Sequence, residues 1–258
     1  MADPKTPSND TDRVYDLPTR LFHWIFALLF VGAFFIAKTI DDDSAVFSYH
    51  MMLGLALGLA AALRVIWGFV GSRYARFSSF DLNPSALLAY FANLFTGGGE
   101  RKLGHNPASS WSALAMIVLA LGLAITGVLM AQGGKETYED IHELLANSFV
   151  LVVLAHIAGI VLHTLRHRDG IGLSMLHGRK RSVGGEAGIV SNYPLVALAF
   201  VGIMTVFGIA MANGYDPTTR NLQLFGSTLQ LGESEDGKDD GGEDGEDHGD
   251  HEDDDDDD

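Results

Sequence analysis

The sequence predicts an all-α integral membrane protein, built as a four-helix bundle with a fifth transmembrane helix and a disordered acidic tail. Three observations carry that expectation. Five apolar runs are each long enough, or nearly so, to cross a hydrocarbon core that needs ~20 helical residues. Few charges fall inside those runs. The net charge of −16 is segregated, with 17 acidic residues and one Lys between Glu233 and Asp258, against 16 acidic and 16 basic residues in everything before. The acidity therefore describes a tail and not the fold.

Residues 1–12 are polar, lack the basic start and apolar core of a signal peptide, and are expected to be disordered. The apolar runs follow at Leu21–Ala37, Tyr49–Val70, Trp111–Ala131, Leu144–Leu165 and Pro194–Ala212. The first is short, but Lys38 can snorkel at one end and Trp24 can sit at the interface at the other. Between the second and third runs, Pro84–Phe95 is apolar but too short to cross, as an interfacial helix would be. The first four runs form one domain over residues 13–181. A Gly-containing linker (182–193) joins it to the fifth helix (194–212), and residues 213–258 form the extracytoplasmic acidic tail.

Orientation follows from Lys and Arg. Arg13 and Arg20 precede the first run, Arg73, Arg76, Arg101 and Lys102 lie between the second and third, and Arg166, Arg168, Arg179, Lys180 and Arg181 follow the fourth. The opposite connections carry Asp41, Asp42 and Asp43, then Lys135 with Glu136, Glu139 and Asp140. The positive-inside rule places the N-terminus and the basic loops in the cytoplasm and the acidic C-terminus in the periplasm of a bacterial inner membrane.

The chain has no cysteine, which excludes disulfides, iron–sulfur clusters and covalent haem attachment. A redox cofactor would be held by His or Met. Among the histidines within or at the ends of the runs, four matter most: His23, His50, His142 and His156. A coordinating side chain in lipid is a functional candidate because lipid cannot solvate it. His142 and His156 are 14 residues apart, about 21 Å along a helix and only ~40° apart in direction. They therefore face the same partners at two depths. On the charge-derived topology His50 matches His142 near the outer surface, and His23 matches His156 nearer the cytoplasm. Each pair can supply both axial nitrogens of one haem iron. His163 matches His23 better in depth if the fourth helix ends at Arg166, and stands as the alternative ligand; His156 requires that the first helix begin before Leu21 or that the fourth project inward. Arg64 is also 14 residues from His50, so it projects from nearly the same face. It either binds haem propionates or snorkels to cytoplasmic headgroups.

RLFHWI (Arg20–Ile25), GHNP (Gly104–Pro107), HELLAN (His142–Asn147) with HIAG (His156–Gly159), and HGRKR (His177–Arg181) resemble the bacterial cytochrome b561 family. The similarity is greatest to the branch holding the b-type cytochrome subunits of nickel–iron hydrogenases, and covers roughly Arg13–Arg181. The resemblance implies a four-helix cytochrome with two haem b groups that passes electrons between the quinone pool and a redox partner. It implies His23, His50, His142 and His156 as iron ligands, which favours His156 over His163. The fifth helix and the tail lie outside the family core.

His105, Asn106 and Pro107 form either the turn that starts the third span or one wall of a quinone site. His163, His167 and His177 belong to a cationic surface patch, and His248 and His251 could bind divalent metal weakly within the tail. The expected function is a dihaem b-type cytochrome in the lipid bilayer, with quinone as substrate and no nucleic-acid partner. Its redox partner would be an extracytoplasmic protein such as a c-type cytochrome or a hydrogenase-like subunit, attracted in part by the tail. The alternatives are a metal-cation transporter with intramembrane histidines and an acidic ion-collecting tail, disfavoured by the lack of intramembrane Asp or Glu, and a structural anchor.

Overall fold

A computed structural model describes residues 11–96, 103–167, 171–183 and 186–232. Its principal helices are α1 (Leu17–Thr39), α2 (Ser48–Val70), α3 (Pro84–Thr96), α4 (Pro107–Leu129), α5 (Lys135–His167), the single turn α6 (Ser174–His177) and α7 (Pro194–Gly214). Four helical stretches are long and apolar enough to cross a membrane: Leu17–Thr39, Phe47–Val70, Pro107–Leu165 and Pro194–Gly214. The third has 59 residues, which would reach about 90 Å if straight, far beyond a ~30 Å core. It does not run straight. A π-turn at Met130–Gly134, with Gly133 at φ +97°, reverses the chain and lays α5 antiparallel against α4. Only glycine adopts that backbone cheaply.

Helix ends are set by caps that hydropathy does not register. The Asp16 carboxylate accepts from the Thr19 N–H at 2.8 Å, and Pro18 occupies the first turn, so α1 starts four residues before its apolar run. Asn106 caps α4 in the same way through the Ser109 N–H at 2.8 Å, with Pro107 next. The His105–Pro107 segment is thus a helix-start turn. α5 begins at Lys135, nine residues before its apolar run, because its first turns stay helical while carrying polar residues. α3 matches the short interfacial helix expected there, with Leu88 and Phe91 exposed.

Outward-facing Leu28, Val31, Phe35, Leu151 and Leu198 are exposed, as befits helices whose solvent is lipid. The middle of the bundle is filled by Phe26, Leu57, Ala61, Ala120 and Phe149, with Phe149 edge-on to Phe30 at 4.3 Å and to Phe26 at 5.8 Å. α2 approaches α4 closely at Gly58, where a Cβ would fall onto the Ala124 side chain. Small residues permit such approach, and packing of this kind holds membrane helices together where the hydrophobic effect cannot.

The two ends of the bundle differ. At the Arg- and Lys-rich end, β1 (Thr11–Arg13) pairs antiparallel with β2 (Arg179–Arg181). Val14, Tyr15, Tyr74 and Leu103 make a small core there. The segment after β2 is docked: the Ile189 N–H donates to Arg13 O at 2.8 Å, and the Tyr74 hydroxyl donates to Ala187 O at 2.9 Å.

At the other end the mostly helical chain adds a small sheet where the start of the tail was expected. After α7, which packs on α1 and α2, the chain folds into three antiparallel strands: β3 (Tyr215–Asp216), β4 (Asn221–Leu224) and β5 (Ser227–Gln230). Leu222, Leu229 and Leu231 pack with Ala56, Ala131 and Met211, against Met51 and Met52. The Ser48 hydroxyl donates to Leu231 O at 3.0 Å. Phe225 (φ 52°) and Gly226 (φ 81°) make the β4–β5 turn, the positive-φ pair that matches strand twist. Residues 215–232 are therefore a cap over the helix ends, and the acidic run from Glu233 lies outside the described residues. Leu222 and Leu224, then Leu229 and Leu231, alternate with Gln223 and Gln230 on either side of Gly226, a period-2 signal too brief to stand out beside the long apolar runs.

Candidate functional site

The helices bring the four histidines together as two pairs, one at each level. At the capped end, His50 in the first turn of α2 faces His142 of α5, with ring centroids 6.3 Å apart and planes at 76°. His50 Nδ1–H donates to the Ala33 carbonyl of α1 at 2.8 Å. The Thr126 hydroxyl of α4 donates to Gly122 O at 2.9 Å and accepts from His142 Nδ1–H at 2.8 Å. Each bond holds its proton on Nδ1 and leaves the Nε2 lone pair free. Two neighbouring helices, α1 and α4, thus fix the tautomer and orientation of the two rings.

At the basic end, His23 of α1 and His156 of α5 lie close enough to act on each other electrostatically. His23 is edge-on to Trp24 at 5.3 Å, and the Trp24 indole N–H donates to Met175 O at 3.2 Å. The early start of α1 at Leu17 sets His23 deeper in its helix than an origin at Leu21 would, which reduces the depth mismatch with His156.

Arg64 is buried and does not reach the surface; only 5% of it is exposed. One nitrogen, Nη2, donates to Ala75 O at 2.9 Å, and the guanidinium lies 5.8 Å from the Phe22 ring and 5.5 Å from the Phe77 ring. Its Nη1 is sealed from solvent with no hydrogen-bond partner.

His105 lies between Tyr15 and Phe80, at 5.8 and 4.8 Å between ring centroids. Burial, then the charges of Lys180 and Arg64 and the neighbouring His156, push its pKa down to about 3, so it is neutral at pH 7. It also lines a cavity of about 360 Å³ with Arg73, Arg76, Ser79 and Asp81. His177 accepts the Arg179 N–H at Nδ1, 3.0 Å away, in the surface segment. His248 and His251 lie outside the described residues.

Residues 14–178 match the family model for prokaryotic cytochrome b561, well over half of the chain. The chain belongs to the prokaryotic cytochrome b561 family. The matched stretch runs from the residue after β1 to the glycine that ends α6, so it covers α1, α2, α4 and α5 and stops before α7 and the β-cap. The relatives include a probable Ni/Fe-hydrogenase B-type cytochrome subunit from Azotobacter vinelandii, 28% identical over 153 residues, 49% of this chain and 63% of the relative. A protein of the same description from Rhodobacter capsulatus is 25% identical over 210 residues, 65% of this chain and 80% of its own length. The probable Ni/Fe-hydrogenase 1 B-type cytochrome subunit of Escherichia coli K12 is 23% identical over 137 residues, 44% of this chain and 57% of the relative. The alignments to the Azotobacter and Escherichia proteins thus span less than two thirds of those relatives' lengths. No solved structure matches. As a multi-pass membrane member of a b-type cytochrome family, the chain is one for which haem b is the expected cofactor.

Thr126 and the Ala33 carbonyl were not legible as partners of the histidines, because nothing in a sequence announces which backbone or hydroxyl an imidazole will meet. Thr126→Val keeps the shape of the side chain but removes the acceptor for His142 Nδ1–H. Loss of such an orienting bond costs roughly 10–100-fold in ligand-to-metal affinity. On the reading proposed below, in which His142 ligates haem iron, the expected result is weakened haem retention on dilution or competition with apomyoglobin, followed by absorbance.

Proposed function

We propose that this cytochrome b561 family member carries two haem b groups across the bilayer and passes electrons between membrane quinone and a redox protein on the capped side. The observation that carries this reading is the His50–His142 pair. Two imidazoles on opposite sides of one iron, each about 2 Å away through Nε2, have ring centroids a little over 6 Å apart. The pair stands at 6.3 Å with both Nε2 lone pairs free.

His50 and His142 would hold one iron, and His23 and His156 the other. Haem b supplies reversible one-electron chemistry when bound. What this chain contributes is axial ligation, fixed imidazole orientation, an apolar helix interior that excludes water between the two levels, and the buried cation Arg64 as a propionate partner. Phe26, Phe30 and Phe149 occupy that interior.

Further parts of the reading are topological. The chain crosses the membrane five times, through α1, α2, α4, α5 and α7, because the 59-residue stretch folds back at Gly133. The basic end faces the cytoplasm of a bacterial inner membrane, and the cap and acidic segment face the periplasm. Relatives described as hydrogenase b-type subunits make a hydrogenase-like enzyme one candidate partner, and a basic c-type cytochrome is another.

The test is a dithionite-reduced minus oxidised absorbance spectrum of the purified protein with a pyridine haemochrome count. Two haem b per chain is the expected result. Folded protein isolated without haem, and unable to take it up, would overturn the reading.

A further inference from the structure

Buried polar atoms in folded proteins almost always find a hydrogen-bond partner, and leaving one without costs about 1–3 kcal/mol, more if it is charged. Six buried side-chain atoms here have none: Asp16 Oδ2, Thr19 Oγ1, Arg20 Nε, Arg64 Nη1, Ser72 Oγ and His105 Nδ1. All six lie at the basic end, the end of the His23–His156 pair. Asp16, Thr19 and Arg20 begin α1, Arg64 closes on the last turns of α2, Ser72 follows α2, and His105 precedes α4. Among the described residues the capped end has none.

The six atoms share one neighbourhood. Arg64 interacts electrostatically with Asp16 and with His105. Its Nη2 bonds Ala75 O, in the turn where the Ala75 N–H donates to Ser72 O. Asp16 Oδ1 accepts from Thr19 N–H and from the Trp67 indole at 3.4 Å, which leaves Oδ2 bare. Arg64, Asp16, Thr19 and Ser72 are all more than nine-tenths buried. Cations exceed anions around them: Arg20, Arg64 and Lys180, with Arg73 and Arg76 beside His105, stand against the carboxylates Asp16, Asp81 and Glu186.

Orphaned N–H donors with a surplus of positive charge call for an anionic acceptor. We propose that Arg64, Ser72 and His105 form a carboxylate-binding clamp for the propionates of the haem held by His23 and His156. Arg64 and Ser72 donate to a propionate through Nη1 and the hydroxyl, and His105 donates through Nδ1–H as a neutral imidazole. Asp16 stands by Arg64 as its counter-charge. The inference rests on the dihaem reading and adds Ser72 and His105 to it.

The experiment uses the full-length protein carrying His142→Ala, which leaves one haem site, stripped of haem in detergent. It is titrated by absorbance with haem b and, separately, with haem b dimethyl ester, whose propionates carry no charge. Charge-assisted hydrogen bonds make about a 10-fold or greater preference for the free acid the expected result. Arg64→Gln, His105→Phe and the milder Ser72→Ala should each reduce that preference, whereas a steric penalty on the ester would persist in all three. Equal affinity for the two forms, or a preference that no variant reduces, overturns the clamp while leaving the dihaem reading intact. Failure to bind either form overturns that reading and the clamp together.

Discussion

Replacing His142 with Ala is expected to reduce haem content from two per chain to one. The His142 ring of α5 faces His50: the two rings stand 6.3 Å apart, and His142 is held on the far side by the Thr126 hydroxyl at 2.8 Å. Alanine is the best helix former and the position is interior to a 33-residue helix, so α5 itself survives. On the proposed ligation, what disappears is one axial nitrogen, and a b-type haem has no covalent link to retain it. His23→Ala is the reciprocal case, in which the haem at the other level goes and the one at the capped level stays. The check is a pyridine haemochrome count on each variant, with circular dichroism to establish retained helix. Normal haem content in both variants would sink the ligand assignment.

The second large effect is expected at Gly58. Helix propensity alone makes Gly→Ala in a helix stabilising by ~1 kcal/mol. At Gly58 the new methyl would coincide with the Ala124 side chain, so α2 and α4 must separate, and overpacking of that kind costs typically 1–3 kcal/mol. Gly58 is eight residues, about 12 Å, beyond His50 on α2 and six residues, about 9 Å, before Arg64. Separation there disturbs both levels of the bundle. Gly58→Ala should therefore lower the thermal midpoint in detergent and weaken retention of both haems. Gly54, one turn earlier, has nothing within 4 Å of where its Cβ would lie, and Gly54→Ala should leave both properties unchanged or improved. Equal behaviour of the two variants would show that the α2–α4 approach does not matter.

Much of the helical framework could be read from the chain. The apolar runs at Leu21–Ala37 and Trp111–Ala131 sit inside α1 and α4, and the interfacial segment Pro84–Phe95 became α3. The starts were displaced because hydropathy reports what lipid accepts, while a helix begins where its free N–H groups are capped. Asp16 with Pro18, and Asn106 with Pro107, are sequence signals of that second kind. The three strands after α7 escaped because their stability comes from Leu222, Leu229 and Leu231 lying on Met51, Met52 and Met211, contacts more than a hundred residues apart in part. The segment's local signals, the Leu and Gln alternation on either side of Gly226, are brief and stand directly before a long acidic run.

By itself the sequence determined that this is a helical membrane protein of the cytochrome b561 type, since apolar length and the R-x-x-H-W and histidine spacings are local properties. It also determined which histidines share a helix face, since 3.6 residues per turn leaves no freedom there. Only the tertiary structure decided that His50 and His142 meet at 6.3 Å with Nε2 free, that Arg64 turns inward to Ala75, and that every orphaned polar atom among the described residues gathers at one end. The physical reason is that tautomer, burial and hydrogen-bond satisfaction depend on atoms from other helices. Their positions follow from packing, at Gly58 against Ala124 and through the reversal at Gly133, and no periodicity within one segment encodes it.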